Sequence, residues 1–596
     1  MEKKGVVLGI SAYKQGSAAV LVADGEITAA AREERFSRVM GDSAFPVASV
    51  RYVLKEAGVE FGKVDAIVLD DPLPAGGSVK ARWRRFVFQM RVLWMLKQFG
   101  RTKAPLLFPE HLLPCTANAF FPSPFERAAI LTISETGTAI CVGNKAHLRI
   151  IRETGEPSAA VLYRTFADFL GFDTGGELEG LALYGDAFSD QTQLFKEKIT
   201  DELVEMKEDG AIVLDMYYFD AAAKPLRIHV REWELLFGIP QRARDGALTG
   251  GHANFASAAC QVLTTIITRL AETVKMLTEE SNLVMAGEVF SSCAANNRTI
   301  PSKLFKNIWI QPVAGAAGSA LGAALAGHHV HLERRRMLVA DADRMCYTCL
   351  GPEYAEQEIE AVLTRCGARY RHFKTFDELA SVVSWDLAGG QVVGWFQGRM
   401  EFGVEGLGNR SVLADARNPK IQKALGLKTK RGEGFVPFGA SVLAEDASRW
   451  FPTVAVSPYK TTAFLLHERH RLPEVNPEED IFTRLYRQRS SVPAVTCVDY
   501  SVRVQTVSEE SNKKLWTLLN CFKKLTQTGL LANTAFQIGD RPMACTPEDA
   551  YNDFLYSELD CLVMGNFLLY HNKQLGAGGK VNQVRKQGEQ EDSKQT

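Results

Sequence analysis

The sequence predicts a two-domain α/β protein, and three observations carry that prediction. Its 596 residues exceed what one hydrophobic core organises. Short apolar strands alternate with amphipathic helices over its first half. A strand–turn–strand unit occurs near the N-terminus and again at 129–150, which reads as a duplicated α/β architecture with two loops facing one cleft.

Each element follows in order. GVVLGISA is an apolar strand, and AAVLVADGEITAAAREERF reads as two strands about an Asp-Gly turn. FPVASVRYVLKEAGV has the spacing of an amphipathic helix, and VDAIVLDD is a buried strand. AILTISETGTAICVGNKAHLRI repeats the strand–turn–strand pattern. NLVMAGEVFSSCAANN and NIWIQPVAGAAGSALGAALAG each run from a strand through a small-residue turn into a helix. Such turns aim backbone N–H groups at an anion, and they also serve as plain packing joints. Residues 328–350 read as a polar connector, and LGPEYAEQEIEAVLTRCGA opens a second, strand-rich domain. The expected domains are 1–345 and 346–570, with 571–596 a disordered tail lacking apolar periodicity.

Composition excludes some classes of function. Lys+Arg 69 against Asp+Glu 70 leaves no excess basic charge, so nucleic acid is not an expected partner. No run of 18 apolar residues is present and the N-terminus shows no secretory pattern, so the expectation is a cytoplasmic protein without a membrane partner. The eleven cysteines follow no framework spacing.

Several residues invite chemistry. His111 and Cys115 lie four apart, a spacing that puts two metal ligands on one helical face, although a buried thiol beside a hydrogen-bonded histidine accounts for it as well. Cys346 and Cys349 form a lone C-x-x-C with neither a second pair nor a thioredoxin-like context. The basic stretch 80–103 places Trp83, Phe86, Val87, Met90 and Leu93 at helical spacing. Such a stretch suits a membrane-surface or partner helix, but docking of the stripe on its own domain is expected, with a lid or subunit contact second. In GRMEFGVEGLGNRS, glycines at 398, 403, 406 and 408 bend the backbone between Arg399 and Arg410, whose forks suit phosphate or carboxylate. Lys430 and Arg431 are further candidate anion contacts.

AAAREERFSR, FFPSPFERAAILT, NIWIQPVAGAAGSALGAA, MEFGVEGLGNRSVLAD, RVQTV and NTAF-x₅-MACTPEDA occur in this order. In them the chain resembles the O-carbamoyltransferases of nodulation-factor and antibiotic biosynthesis, over residues 5–570. The resemblance implies a duplicated actin-like, sugar-kinase-like N-terminal domain close to the tRNA threonylcarbamoyltransferase. It also implies a C-terminal α/β domain resembling the threonylcarbamoyl-adenylate synthase fold. Family members use carbamoyl phosphate and ATP, with iron or a similar metal held by two histidines and an aspartate.

On that resemblance, Gly175, Gly176, Gly287, Glu288, Gly315 and Gly318 would meet ATP, and His111 with Cys115 a metal. Arg399, Asn409, Arg410, Ser411, Lys430, Ser441 and Asn533 would be what remains of the carbamoyl-phosphate site. No catalytic residue is assigned. The chain departs from the family pattern at many of these places. Gln15 and Gly16 replace His-Asp, Cys115 a histidine, Ser134-Glu135 an Asp-Gly, and Ala316 the metal-binding aspartate. A lysine-bearing stretch is shortened to Glu177-Leu178-Glu179, and the nucleotide turn reads Gly287-Glu288-Val289-Phe290-Ser291-Ser292. In the second domain Val404-Glu405 replace Pro-Arg, Gly432 and Val436 two arginines, Ala535 and Gln537 a Ser and an Asn, and Cys497 a histidine. A carboxylate in place of a cation turns attraction for phosphate into repulsion.

The expected function is therefore transfer of a carbamoyl or related acyl group to a metabolite in natural-product biosynthesis, with altered donor and metal sites. The alternatives are an inactive homologue serving as partner of another biosynthetic enzyme, or a cleft repurposed for another ATP-dependent acyl condensation.

Overall fold

The computed structural model describes residues 5–70, 79–109, 112–155, 157–173, 175–220, 223, 225–291, 304–338, 343–430, 434, 436–454, 456–473 and 481–574. The chain forms two compact units, Met1–Glu33 with Gly41–Cys346, and Glu34–Met40 with Tyr347–Thr596.

The first unit is built on two sheets of the same plan. In one, β1 (Val6–Ser11), β2 (Ala18–Ala23), β3 (Glu26–Arg32), β4 (Ala66–Asp70) and β5 (Leu106–Leu107) lie in the order β3-β2-β1-β4-β5. In the other, β6 (Arg127–Ser134), β7 (Gly137–Asn144) and β8 (His147–Thr154) continue through Asn282–Ala286 and Asn307–Ile310 in the equivalent order. The senses match as well: β1 runs antiparallel to β2 and parallel to β4, and β6 antiparallel to β7 and parallel to Asn282–Ala286. The duplication expected from the sequence is present. Asp24 (φ 54) and Gly25 (φ 85) turn the first hairpin, the two successive left-handed residues such a tight turn needs.

Helix Gly315–Ala326 is assembled from small residues because its neighbours come close on two sides. A Cβ on Gly322 would lie 1.7 Å from the Pro114 carbonyl oxygen, and one on Gly9 of β1 2.2 Å from that of Ala320. Only hydrogen fits at either point.

Two expectations are corrected here. The first concerns residues 328–350, which do not behave as a plain polar connector. His328, His329, Arg336 and Arg344 are buried. Arg336 donates to the carbonyls of Phe120, Phe121, Ser123 and Phe125, so a cation closes the C-terminal end of helix Leu112–Phe120, where backbone acceptors run out of partners. Residues 339–342 lie outside the described residues. The second concerns helix Val79–Leu96, which docks the face expected to be polar: Val92 and Leu96 are buried and Phe88 packs beside them. The stripe Trp83, Phe86, Val87, Met90 and Leu93 is exposed. The helix has two apolar faces, and periodicity does not say which one turns inward.

The second unit is a nine-stranded mixed sheet. Its order is Arg371–His372, Phe567–Tyr570, Cys561–Met564, Val393–Phe396, Arg410–Ala414, Leu530–Ala535, Gly439–Leu443, Ser501–Val507 and Ala463–Leu465. Alternation along the strands feeds two cores: Trp395 packs with helices Phe376–Ala388 and Lys513–Thr526 on one face, and Phe396 joins the core on the other. The expected tail begins later than Tyr570, because His571–Gln574 form a last helical turn with Gln574 buried and hydrogen-bonded to Arg369. The remainder, 575–596, lies outside the described residues.

Burial pushes the His329 imidazole down to about 3, with its Nδ1 on the Arg334 carbonyl and its ring on Phe121. A folded value below the unfolded 6.5 means the unfolded chain binds the extra proton. The stability this residue contributes is therefore full above pH 6.5 and lost as pH falls toward 3. The slope it adds is at most about 1.4 kcal/mol per pH unit. His329→Phe is expected to flatten the fall in melting temperature between pH 6.5 and 5, read by calorimetry across that range.

Candidate functional site

In the second unit the loop 398–411 folds around a carboxylate of its own. Glu401, 1% exposed, accepts the backbone N–H groups of Leu407 (2.7 Å), Asn409 (2.9 Å) and Arg410 (3.0 Å). Arg410 is equally committed. Its guanidinium donates to the carbonyls of Gln397, Gly398, Asn409 and Pro352, and stacks 3.6 Å over the Phe396 ring. Burial lowers its pKa, and Glu401 pulls the other way. Arg399 donates to the carbonyls of Leu350 and Gly351, while Asn409 bridges Arg399 O, Cys349 Sγ and the Asn512 amide. These residues hold the loop's shape.

Three strands bring a polar cluster to the centre of the sheet. The Ser441 hydroxyl donates to Gln505 Oε1 (2.7 Å), and Asn533 Nδ2 donates to Ser441 Oγ (2.8 Å). Gln505 Nε2 donates to the Leu407 carbonyl (2.7 Å). Lys460, 1% exposed and at φ 56, donates to the carbonyls of Gly406 (2.6 Å) and Asn533 (3.1 Å). Asn533 Oδ1 is buried without a hydrogen-bond partner. Glu405 pairs with Arg503 at 2.5 Å, so its carboxylate is answered from the strand carrying Gln505.

Of the residues expected here, Ser441 and Asn533 touch, and the buried Ser411 accepts from Gly408 N. Lys430 goes elsewhere: it is exposed and its ammonium lies 3.5 Å over the Tyr556 ring. Arg431 and Gly432 lie outside the described residues. Sequence reading missed Lys460, Gln505 and Arg503. Alternation in SVRVQTV, which buries Val502 and Val504 on one face, was a signal for Arg503 and Gln505; nothing in the sequence signalled Lys460.

In the first unit the expected nucleotide residues meet acidic neighbours. Gly315 opens helix Gly315–Ala326, and a Cβ there would lie 3.2 Å from Glu288 Oε1. Glu288 is exposed within a crowded recess. Burial of its carboxyl, then the Glu135 charge, raise its pKa, against Arg164 and Lys14. Glu135 itself pairs with Arg164 at 2.6 Å. A phosphate directed at this helix start meets a carboxylate already there, so the residues present do not fit it. Gly287 and Gly318 are joints of close approach to Ile133 O and Val313 O. Gly175 does the same against the Tyr163 ring, and Gly176 is exposed.

The metal expectation rests on His111 together with Cys115. His111 lies outside the described residues, and among the described residues no group of three His, Cys, Asp or Glu is placed to hold a metal ion. Burial pushes the Cys115 thiol up to about 11, with Asp70 adding to it, and Ser319 hydrogen-bonds it. Lys14 and Asp70 pair beside it at 2.6 Å.

Residues 6–75 and 76–325 match the carbamoyltransferase N-terminus family, and residues 384–571 match the carbamoyltransferase C-terminus family. The chain belongs to the carbamoyltransferases. An uncharacterised protein of Synechocystis is 39% identical over 95% of this chain and 97% of its own length. The nodulation protein NolNO of Sinorhizobium fredii is 29% identical over 94% of this chain and 79% of its own length. The 3'-hydroxymethylcephem-O-carbamoyltransferase of Streptomyces clavuligerus is 27% identical over 53% of this chain and 55% of its own length.

Glu401→Gln removes the charge from an acceptor of three backbone donors and places a second donor against them. The expected cost is about 2 kcal/mol. Urea unfolding of the variant beside the parent protein measures it.

Proposed function

We propose that this carbamoyltransferase-family chain transfers a carbamoyl or related acyl group to a small metabolite, and that its second unit takes the donor at the Ser441–Gln505–Asn533 cluster. One observation carries the reading: Asn533 Oδ1 is a buried acceptor with no protein donor, on the residue whose carbonyl receives the Lys460 ammonium. A buried acceptor of this kind costs about 1–3 kcal/mol unless something donates to it. The amide N–H of a carbamoyl group is such a donor, and Lys460 supplies a positive charge beside it. The names of the nodulation and cephem relatives support small-molecule biosynthesis as the setting. No step is drawn through ATP or a metal.

A ligand at one hundred times its Kd stabilises a protein by about 2.7 kcal/mol. Carbamoyl phosphate is expected to raise the melting temperature of the parent protein, and Asn533→Leu and Lys460→Met to abolish the rise. A rise of equal size in both variants, or none in the parent, defeats the proposal.

A second reading, a catalytically silent partner of another biosynthetic enzyme, is favoured by Glu288. If its carboxylate keeps nucleotide from the helix start, ATP leaves the parent unshifted, whereas Glu288→Ser gains a shift.

A further inference from the structure

The exposed face of helix Val79–Leu96 is a feature that donor chemistry leaves unused. Trp83, Phe86, Val87, Met90, Leu93 and Trp94 stand on it, the two indoles 64% and 69% exposed. At 3.6 residues per turn these six fall within a sector of about 120°. The opposite face holds the helix to the domain through Phe88, Val92 and Leu96. Trp83 and Phe86 pack against each other, with ring centroids 5.8 Å apart, so an aromatic pair stands on the outward face. Scattered apolar residues on a surface need no explanation; a contiguous stripe with two tryptophans does.

Charge says what covers it. Residues 79–103 carry eight Lys and Arg and no Asp or Glu, in a chain whose net charge is -1. By helical position Arg82 borders the stripe on one side, and Arg84 and Arg91 border it on the other. All three are exposed. A second copy of this chain meeting the same face across a two-fold axis would set two such basic segments together, which like charge opposes. An acidic protein would answer the cations, yet it would also need a groove for two indoles. A bilayer with anionic headgroups meets both demands at once. Apolar side chains enter the headgroup–acyl boundary, indoles favour that depth, and flanking arginines stay level with the phosphates.

We propose that helix Val79–Leu96 docks this protein flat on an anionic lipid surface. No helix of the described residues is long and apolar enough to cross a membrane, so attachment would be peripheral.

The test is co-sedimentation of the full chain with vesicles of phosphatidylcholine alone or mixed with phosphatidylglycerol. Binding is expected to the mixed vesicles and to weaken as salt is raised. The double variant Trp83→Ser/Trp94→Ser should bind at least about tenfold more weakly while keeping the parent melting temperature, since both side chains are exposed. Arg82→Glu/Arg84→Glu should lose the preference for the anionic lipid. Three results overturn the proposal: no binding to the mixed vesicles, equal binding by the tryptophan variant, or a concentration-dependent dimer that this variant abolishes. Capture of an acidic protein through the stripe, without vesicle binding, overturns it too.

Discussion

A charge buried out of reach of water has to be answered by the chain around it, and Glu401 imposes that demand on the centre of the second sheet. The loop 398–411 answers with three N–H groups. The opposite halves of the same peptides are then shared among donors. Gln397, Gly398 and Asn409 give their carbonyls to Arg410, Gly406 to Lys460, Leu407 to Gln505, and Gly408 to the Trp395 indole. A segment that reads as a ready cradle for phosphate has spent its N–H groups on an internal anion and its arginine on internal carbonyls.

The same internal settlement recurs. Glu405 is matched by Arg503, Lys14 by Asp70, and Arg164 by Glu135. In each case the charge finds its partner within the chain. Asn533 Oδ1 departs from that pattern, as Arg410 Nε does: each is buried without a hydrogen-bond partner among the described residues.

Much of the architecture was legible. The strand–turn–strand units at β1–β3 and β6–β8 showed the duplication, because hairpins are local and their signals are contained in a few residues. Long-range pairing was not legible. Glu405 read as a repulsive intruder because its partner lies 98 positions away. Glu401 drew no attention beside two arginines, although it organises them. Lys460 escaped because a buried lysine in a left-handed loop residue belongs to no periodic pattern. Lys430 was expected at the donor cluster on its charge alone, and its own turn carries it to Tyr556 instead. Arg336 lay in what read as a connector, and only the folded chain shows the helix end it closes.

The contact between Gly322 and Pro114 O has a mechanical consequence. Helix Gly315–Ala326 and helix Leu112–Phe120 meet where one hydrogen atom is the only tolerated spacer. Sliding the first helix by one residue would drive Leu321 or Ala323 into that carbonyl, and rotating it would do the same. The pair behaves as a pinned strut, so any rearrangement near Gly315 has to be absorbed by the turn before the helix, not by travel of the helix along its axis.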